Sequence, residues 1–99
     1  MTLTDAYAAL GQEITRLANA GKIDGDKYHY NRRAGMARAI LRAAAEDRVE
    51  KAARLGALLS GPRDLSPAAP KSWRPVAELA WRLGRQVRQA EQDSQRRAA

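Results

Sequence analysis

The 99-residue sequence contains no cysteine, no phenylalanine and a single histidine, His29. Without cysteine the chain forms no disulfide bond and offers no thiolate to a metal ion, and one imidazole does not make a histidine cluster. Aromatic residues are only 5% of the chain, and much of its 44% hydrophobic content is alanine. Because alanine buries little apolar area, we expect residues 1–99 to form one small helical domain with a thin core.

Catalytic motifs are also absent from the sequence. There is no HExxH zinc motif, no P-loop and no GxGxxG dinucleotide fingerprint. A serine–histidine–aspartate set can be assembled from Ser60, His29 and Asp64, but nothing in their spacing brings the three together. We therefore predict a protein that is not an enzyme and needs no metal or cofactor.

Long apolar segments are missing as well. No apolar run approaches the ~18 residues typical of a membrane-spanning helix. The first ten residues, MTLTDAYAAL, lack the basic region and apolar block of a secretory signal. These absences predict a cytoplasmic protein that does not bind membranes.

The sequence is rich in positively charged residues. Lys and Arg number 18 against 11 Asp and Glu, which gives a net charge of +7, and fourteen of the 18 cations are arginine. Residues 26–60 and 61–99 each hold eight basic and four acidic residues, whereas residues 1–25 hold two and three. A positive field of this kind favours nucleic acid or an acidic protein as partner.

Apolar periodicity predicts an all-α fold, a small bundle of three to four helices at about 3–20, 26–45, 47–60 and 74–93. In the first helix, apolar residues recur at alternating spacings of four and three, as in a heptad seam: Leu3, Tyr7, Leu10, Ile14 and Leu17. Thr2–Asp5 resembles a helix start, and Gly21 suits a left-handed helix end. The near-neutral seam of this helix makes a homodimer through helix 1 possible.

The boundary between the second and third helices is predicted near Glu46–Asp47. Asp47 followed by Glu50 matches a capping box, and a break there lets the apolar residues after it face the core: Val49, Ala52, Ala53, Leu55, Leu58 and Leu59. One long bent helix is the alternative.

The last third of the chain begins with a connector and continues into a helix. SGPRDLSPAAPK, residues 60–71, holds three of the four prolines and predicts a semi-rigid connector. The apolar stripe of the fourth helix follows: Val76, Leu79, Ala80, Leu83, Val87 and Ala90. The polar residues 94–99 predict a frayed tail.

The outer face of the fourth helix is one candidate binding surface. An aromatic side chain among arginines is typical of surfaces that contact phosphates and stack on bases, and Trp and Arg are also enriched at protein interfaces. The candidate residues are Arg74, Trp81, Arg82, Arg85 and Arg88.

The segment KYHYNRR, residues 27–33, starts a second candidate surface, a basic strip along the second helix. A structural interpretation competes with it, in which Tyr30 or His29 closes the end of the core. The strip itself consists of Lys27, Tyr28, Arg32, Arg33, Arg38 and Arg42. We expect both candidate surfaces to contact the same partner.

Two functions follow as hypotheses. The first is a nucleic-acid-binding or nucleic-acid-associated regulatory protein, acting on DNA or RNA through phosphate contacts. The second is a protein–protein interaction module of the phage or plasmid accessory type, which inhibits or scaffolds a partner through an acidic surface on that partner.

Overall fold

A computed structural model shows an all-α bundle of four helices. It describes residues 1–23, 27–60 and 73–98, but not the side chains of residues 27 and 28. The helices are α1 (Leu3–Asn19), α2 (Lys27–Ala45), α3 (Val49–Ser60) and α4 (Arg74–Ala98). The predicted fold class is confirmed. The proline-rich connector lies outside the described residues, apart from Ser60, and α4 continues five residues beyond the predicted end.

Both ends of α1 are capped by the residues that the sequence indicates. The Thr2 hydroxyl accepts from the Asp5 amide at 3.1 Å, and the Asp5 carboxylate accepts from the Thr2 amide at 3.4 Å, which completes a capping box. At the other end Gly21 has φ +69°, and the Lys22 amide donates to the Leu17 carbonyl at 2.8 Å. This is a Schellman ending, in which glycine takes the left-handed position at little cost.

The break between α2 and α3 is confirmed, but the predicted capping role of Asp47 is wrong. Asp47 has φ 61° and ends α2, with the Arg48 amide donating to the Ala43 carbonyl at 2.8 Å. Asp47 therefore occupies the left-handed position of a second Schellman ending. Aspartate tolerates this conformation better than most residues, and α3 starts two residues later, at Val49.

The α2–α4 pair forms the centre of the bundle. Before α4 begins, the fully buried Trp73 packs edge-to-face on Tyr30 near the start of α2, with ring centroids 5.8 Å apart. Near the end of α2, Ala44 and Ala45 contact the buried Gly84 of α4. The earlier residue of α2 pairs with the earlier residue of the α4 segment, and the later residues of α2 pair with the later one. The two helices therefore run parallel.

Helices α1 and α3 flank this pair, each packing on both α2 and α4. The predicted seam of α1 faces the core: Leu10, Ile14 and Leu17 are buried, and Leu3 and Tyr7 are half-buried against the core. The apolar residues that suggested a homodimer through helix 1 are thus used within the chain.

The third helix is rotated relative to the prediction. Ala52 and Leu59 are buried, but Val49 is 48% exposed, Leu58 is 62% exposed and Ala53 is exposed. The predicted core positions of these last three residues are wrong. Because α3 packs on α2 and α4 along a narrow arc, its apolar residues outside that arc line two surface grooves.

Candidate nucleic-acid interface

Two depressions lie along the seam between α2 and α3. One, of about 290 Å³, is near the start of α2 and is lined by His29, Arg32, Arg33, Met36, Leu58 and Leu59. The other, of about 350 Å³, is beside the α2–α3 corner and is lined by Ala39, Arg42, Ala43, Glu46, Arg48 and Lys51. Together they collect five Arg and Lys side chains and one carboxylate.

Helical spacing joins the two depressions into one continuous seam. Arg32, Met36, Ala39 and Ala43 follow one another at spacings of four, three and four along α2, so they form one stripe on that helix. The facing helix, α3, has 12 residues and is about 18 Å long at 1.5 Å per residue. The seam is thus about 18 Å long, with Arg32, Arg33 and Arg42 along α2 and Lys51 on α3.

Among the described residues that line the seam, Glu46 is the one acid, and it offsets one of the five positive charges. Glu46 accepts a hydrogen bond from Arg42 at 3.0 Å and lies 3.9 Å from Arg48. The hydrogen bond with Glu46 raises the pKa of Arg42, so that guanidinium stays charged. Arg32 and Lys51 are exposed, and neither forms an ion pair with any described residue. We call this surface, with its five cations, the α2–α3 seam.

The basic face of α4 is likewise partly neutralised by one carboxylate, that of Asp47. An Asp47 carboxylate oxygen accepts from Arg85 at 2.8 Å, and Arg88 lies 3.9 Å from the other oxygen. The Arg85 hydrogen bond, and then the charge of Arg88, lower the pKa of Asp47. Arg85 also lies over the Trp81 ring, 5.7 Å from its centroid. Arg85 and Arg88 are therefore engaged within the protein, while Arg74 and Arg82 are exposed.

Arg42 of the second helix and Arg82 of the fourth both lie away from the contact between α2 and α4. Ala44 of α2 contacts Gly84 of α4. Arg42 is two residues from Ala44, and Arg82 is two residues from Gly84, which places each arginine about 200° around its helix, away from the contact. α2 shares its basic strip with α3, and the contact of both candidate surfaces with one partner stays a prediction.

The remaining candidates in the second helix are distributed as follows. Tyr30 is half-buried and packs on Trp73, just before α4, whereas the structural interpretation placed Tyr30 or His29 against helix 1. Arg38 is exposed one turn before Arg42. The side chains of Lys27 and Tyr28 lie outside what the structure describes.

Sequence reasoning missed Arg48 and Lys51 as members of the seam. Both stand close to Asp47 and Glu50 in sequence, which favoured local charge pairing. Only the position of the α2–α3 corner shows that these two cations extend the α2 strip.

Several kinds of site are missing from the described parts of the chain. No three His, Cys, Asp or Glu side chains there are placed to hold a metal ion. No helix there is long and apolar enough to cross a bilayer. No protein-family model matches the chain, and comparisons with curated proteins and with solved structures find no match either. Function is therefore inferred from the side chains alone.

Proposed function

We propose that this protein is a small, non-catalytic, nucleic-acid-binding regulatory protein that contacts phosphates through the α2–α3 seam. The observation that carries the proposal is the collection of five Arg and Lys side chains along this seam against one carboxylate, Glu46. Four of the five are arginines, whose planar guanidinium matches a phosphate with two parallel hydrogen bonds.

The dimensions of the seam suit a short stretch of backbone. Its length of about 18 Å corresponds to about five steps of duplex DNA at 3.4 Å per step and strand. Cations along that length neutralise phosphates and release condensed counterions, which favours binding of any sequence. Contacts to phosphates position a nucleic acid without reading its bases, and the cations of the seam are proposed to contact phosphates. We therefore expect weak sequence preference.

The test is fluorescence anisotropy with labelled duplex and single-stranded oligonucleotides over a range of salt concentrations. With four or five phosphate contacts, log K should fall against log salt with a slope of about −4 for duplex DNA, or roughly 10²-fold between about 50 and 200 mM salt. A binding constant that does not change with salt concentration over this range contradicts the proposal, and so does the absence of binding at the lower salt concentration.

One observation favours the second function, an interaction with an acidic protein surface. Leu58 is the most exposed large apolar residue of the described chain, and it lies beside Met36 and Arg32 at the first depression. An apolar contact ringed by cations also fits an acidic protein with an apolar anchor. Affinity capture from lysate with and without nuclease separates the two functions, because a stoichiometric complex that survives nuclease indicates a protein partner.

A further inference from the structure

An apolar groove lies between α3 and α4, on the other side of α3 from the basic seam. Its volume is about 380 Å³, and its lining is Ile40, Val49, Ala52, Ala53, Gly56, Ser60, Ala77, Glu78 and Trp81. Trp81 is 36% exposed at one wall, opposite the exposed Val49. The small side chains along α3 leave the groove open enough to admit part of a large side chain.

The indole at this groove is held in place before any partner arrives. Arg85 lies over its ring, and Asp47 fixes Arg85 through a 2.8 Å hydrogen bond. A side chain that is already ordered loses little conformational entropy on binding. Tryptophan with its large contact area is also the residue type most enriched among interface hot spots.

Two charges beside Trp81 indicate what covers the groove. Glu78 and Arg82 are exposed, lie four residues apart on one face of α4, and form no ion pair with the residues that the structure describes. Glu78 repels a phosphate or an acidic protein at this position. The fitting partner carries a cation opposite Glu78 and an anion opposite Arg82.

An antiparallel copy of α4 meets this requirement. A two-fold axis level with Ala80 sets Glu78 of each copy opposite Arg82 of the other, and it places the two Trp81 side chains next to each other. Such a contact is isologous, with the same patch used by both copies. It also leaves the α2–α3 seam of each copy uncovered, because the seam lies on the other side of α3.

We propose that the α3–α4 groove and the Trp81 face of α4 form the interface of a symmetric homodimer of this chain. The contact is mainly apolar, from Trp81 and the groove, and the Glu78–Arg82 pairs fix its antiparallel direction. The proposal goes beyond nucleic-acid binding and does not depend on it.

Sedimentation velocity over a concentration series tests the proposal with three variants. Wild type should show a monomer–dimer equilibrium, and Trp81→Ala should weaken the dimer by about tenfold or more. Glu78→Arg and Arg82→Glu should each remain monomeric, because each sets like charges against one another across the axis. Mixed in equal amounts, these two variants should form a heterodimer, since each then meets the opposite charge.

Circular dichroism is the control, and all three variants should show wild-type helix content because the substituted residues are exposed. Wild type that stays monomeric up to about 1 mM, equivalent to a dimer weaker than about −4 kcal/mol, overturns the proposal. A dimer that Trp81→Ala leaves unchanged also overturns it, as does a mixture of the two charge variants that stays monomeric. Quenching of Trp81 fluorescence by an oligonucleotide in a monomeric protein assigns the groove to nucleic acid instead and overturns it.

Discussion

Replacement of Gly84 by alanine should destabilise the protein, although alanine is the better helix former. A Cβ atom built on Gly84 meets the Leu41 carbonyl oxygen, lies 2.5 Å from the Ala44 Cβ and 3.1 Å from the Ala45 amide nitrogen. Carbon atoms in contact ordinarily lie ~3.5–4.0 Å apart. The obstacles are backbone atoms and a Cβ, which no rotamer change moves, so α2 and α4 must separate by about 1 Å.

The free energy of unfolding of Gly84→Ala combines two opposing effects. Overpacking of a core costs about 1–3 kcal/mol, and this site belongs near the upper end because two backbones are in the way. Replacing a helical glycine recovers about 0.5–1 kcal/mol. The net loss should be about 2 kcal/mol, and the melting temperature should fall by roughly 8–16 °C for a domain of this size.

Urea denaturation followed by circular dichroism measures the loss, and Gly11→Ala is the matched control. Gly11 is exposed within α1, and a Cβ there meets nothing within 4 Å. The control should therefore gain about 0.5–1 kcal/mol. If Gly84→Ala is as stable as Gly11→Ala, the close α2–α4 contact inferred here is refuted.

Two further predictions concern stability. The pKa of Asp47 is lowered by Arg85 and Arg88, so its stabilising effect is present above the ordinary aspartate pKa of about 3.9 and is lost as pH falls through the lower folded-state pKa. Asp47→Asn should therefore be less stable than wild type at pH 7, and urea titrations at several pH values should show the difference shrink below about pH 4; a constant difference contradicts the ion pair. Trp73→Ala should cost about 3–5 kcal/mol, whereas Trp81→Ala should change the unfolding free energy of the monomer far less, and equal losses in thermal denaturation contradict the different burial of the two tryptophans.

A helix end was predictable from the sequence where the local residue pattern fits only one kind of helix end. Thr2 with Asp5, and Gly21, are examples. Asp47 was not, because an aspartate three residues before a glutamate fits a helix start, whereas here it ends the preceding helix. Its carboxylate accepts a hydrogen bond from Arg85, 38 residues away, and spacing within a helix carries no information about such a pair.

The candidate site was predictable as a set of cations but not as a surface. The strip from Arg32 to Arg42 follows from helical periodicity, and Arg32, Arg33 and Arg42 line the seam, whereas Arg38 is not among its lining residues. Its other rim, with Lys51, comes from the turn at the α2–α3 corner. The exposure of Val49 and Leu58 reflects the narrow arc over which α3 packs, and hydrophobicity alone does not show that arc.

The central claim, that the α2–α3 seam binds nucleic-acid phosphates, is tested most directly by the salt dependence of oligonucleotide binding in two double variants. Arg32→Ala with Lys51→Ala removes two seam cations, and Arg96→Ala with Arg97→Ala removes two exposed cations at the end of α4. Each pair lowers the net charge by two, from +7 to +5. The seam variant should reduce the slope of log K against log salt by about two, while the α4 variant keeps the wild-type slope. Equal slopes for the two variants would contradict the account.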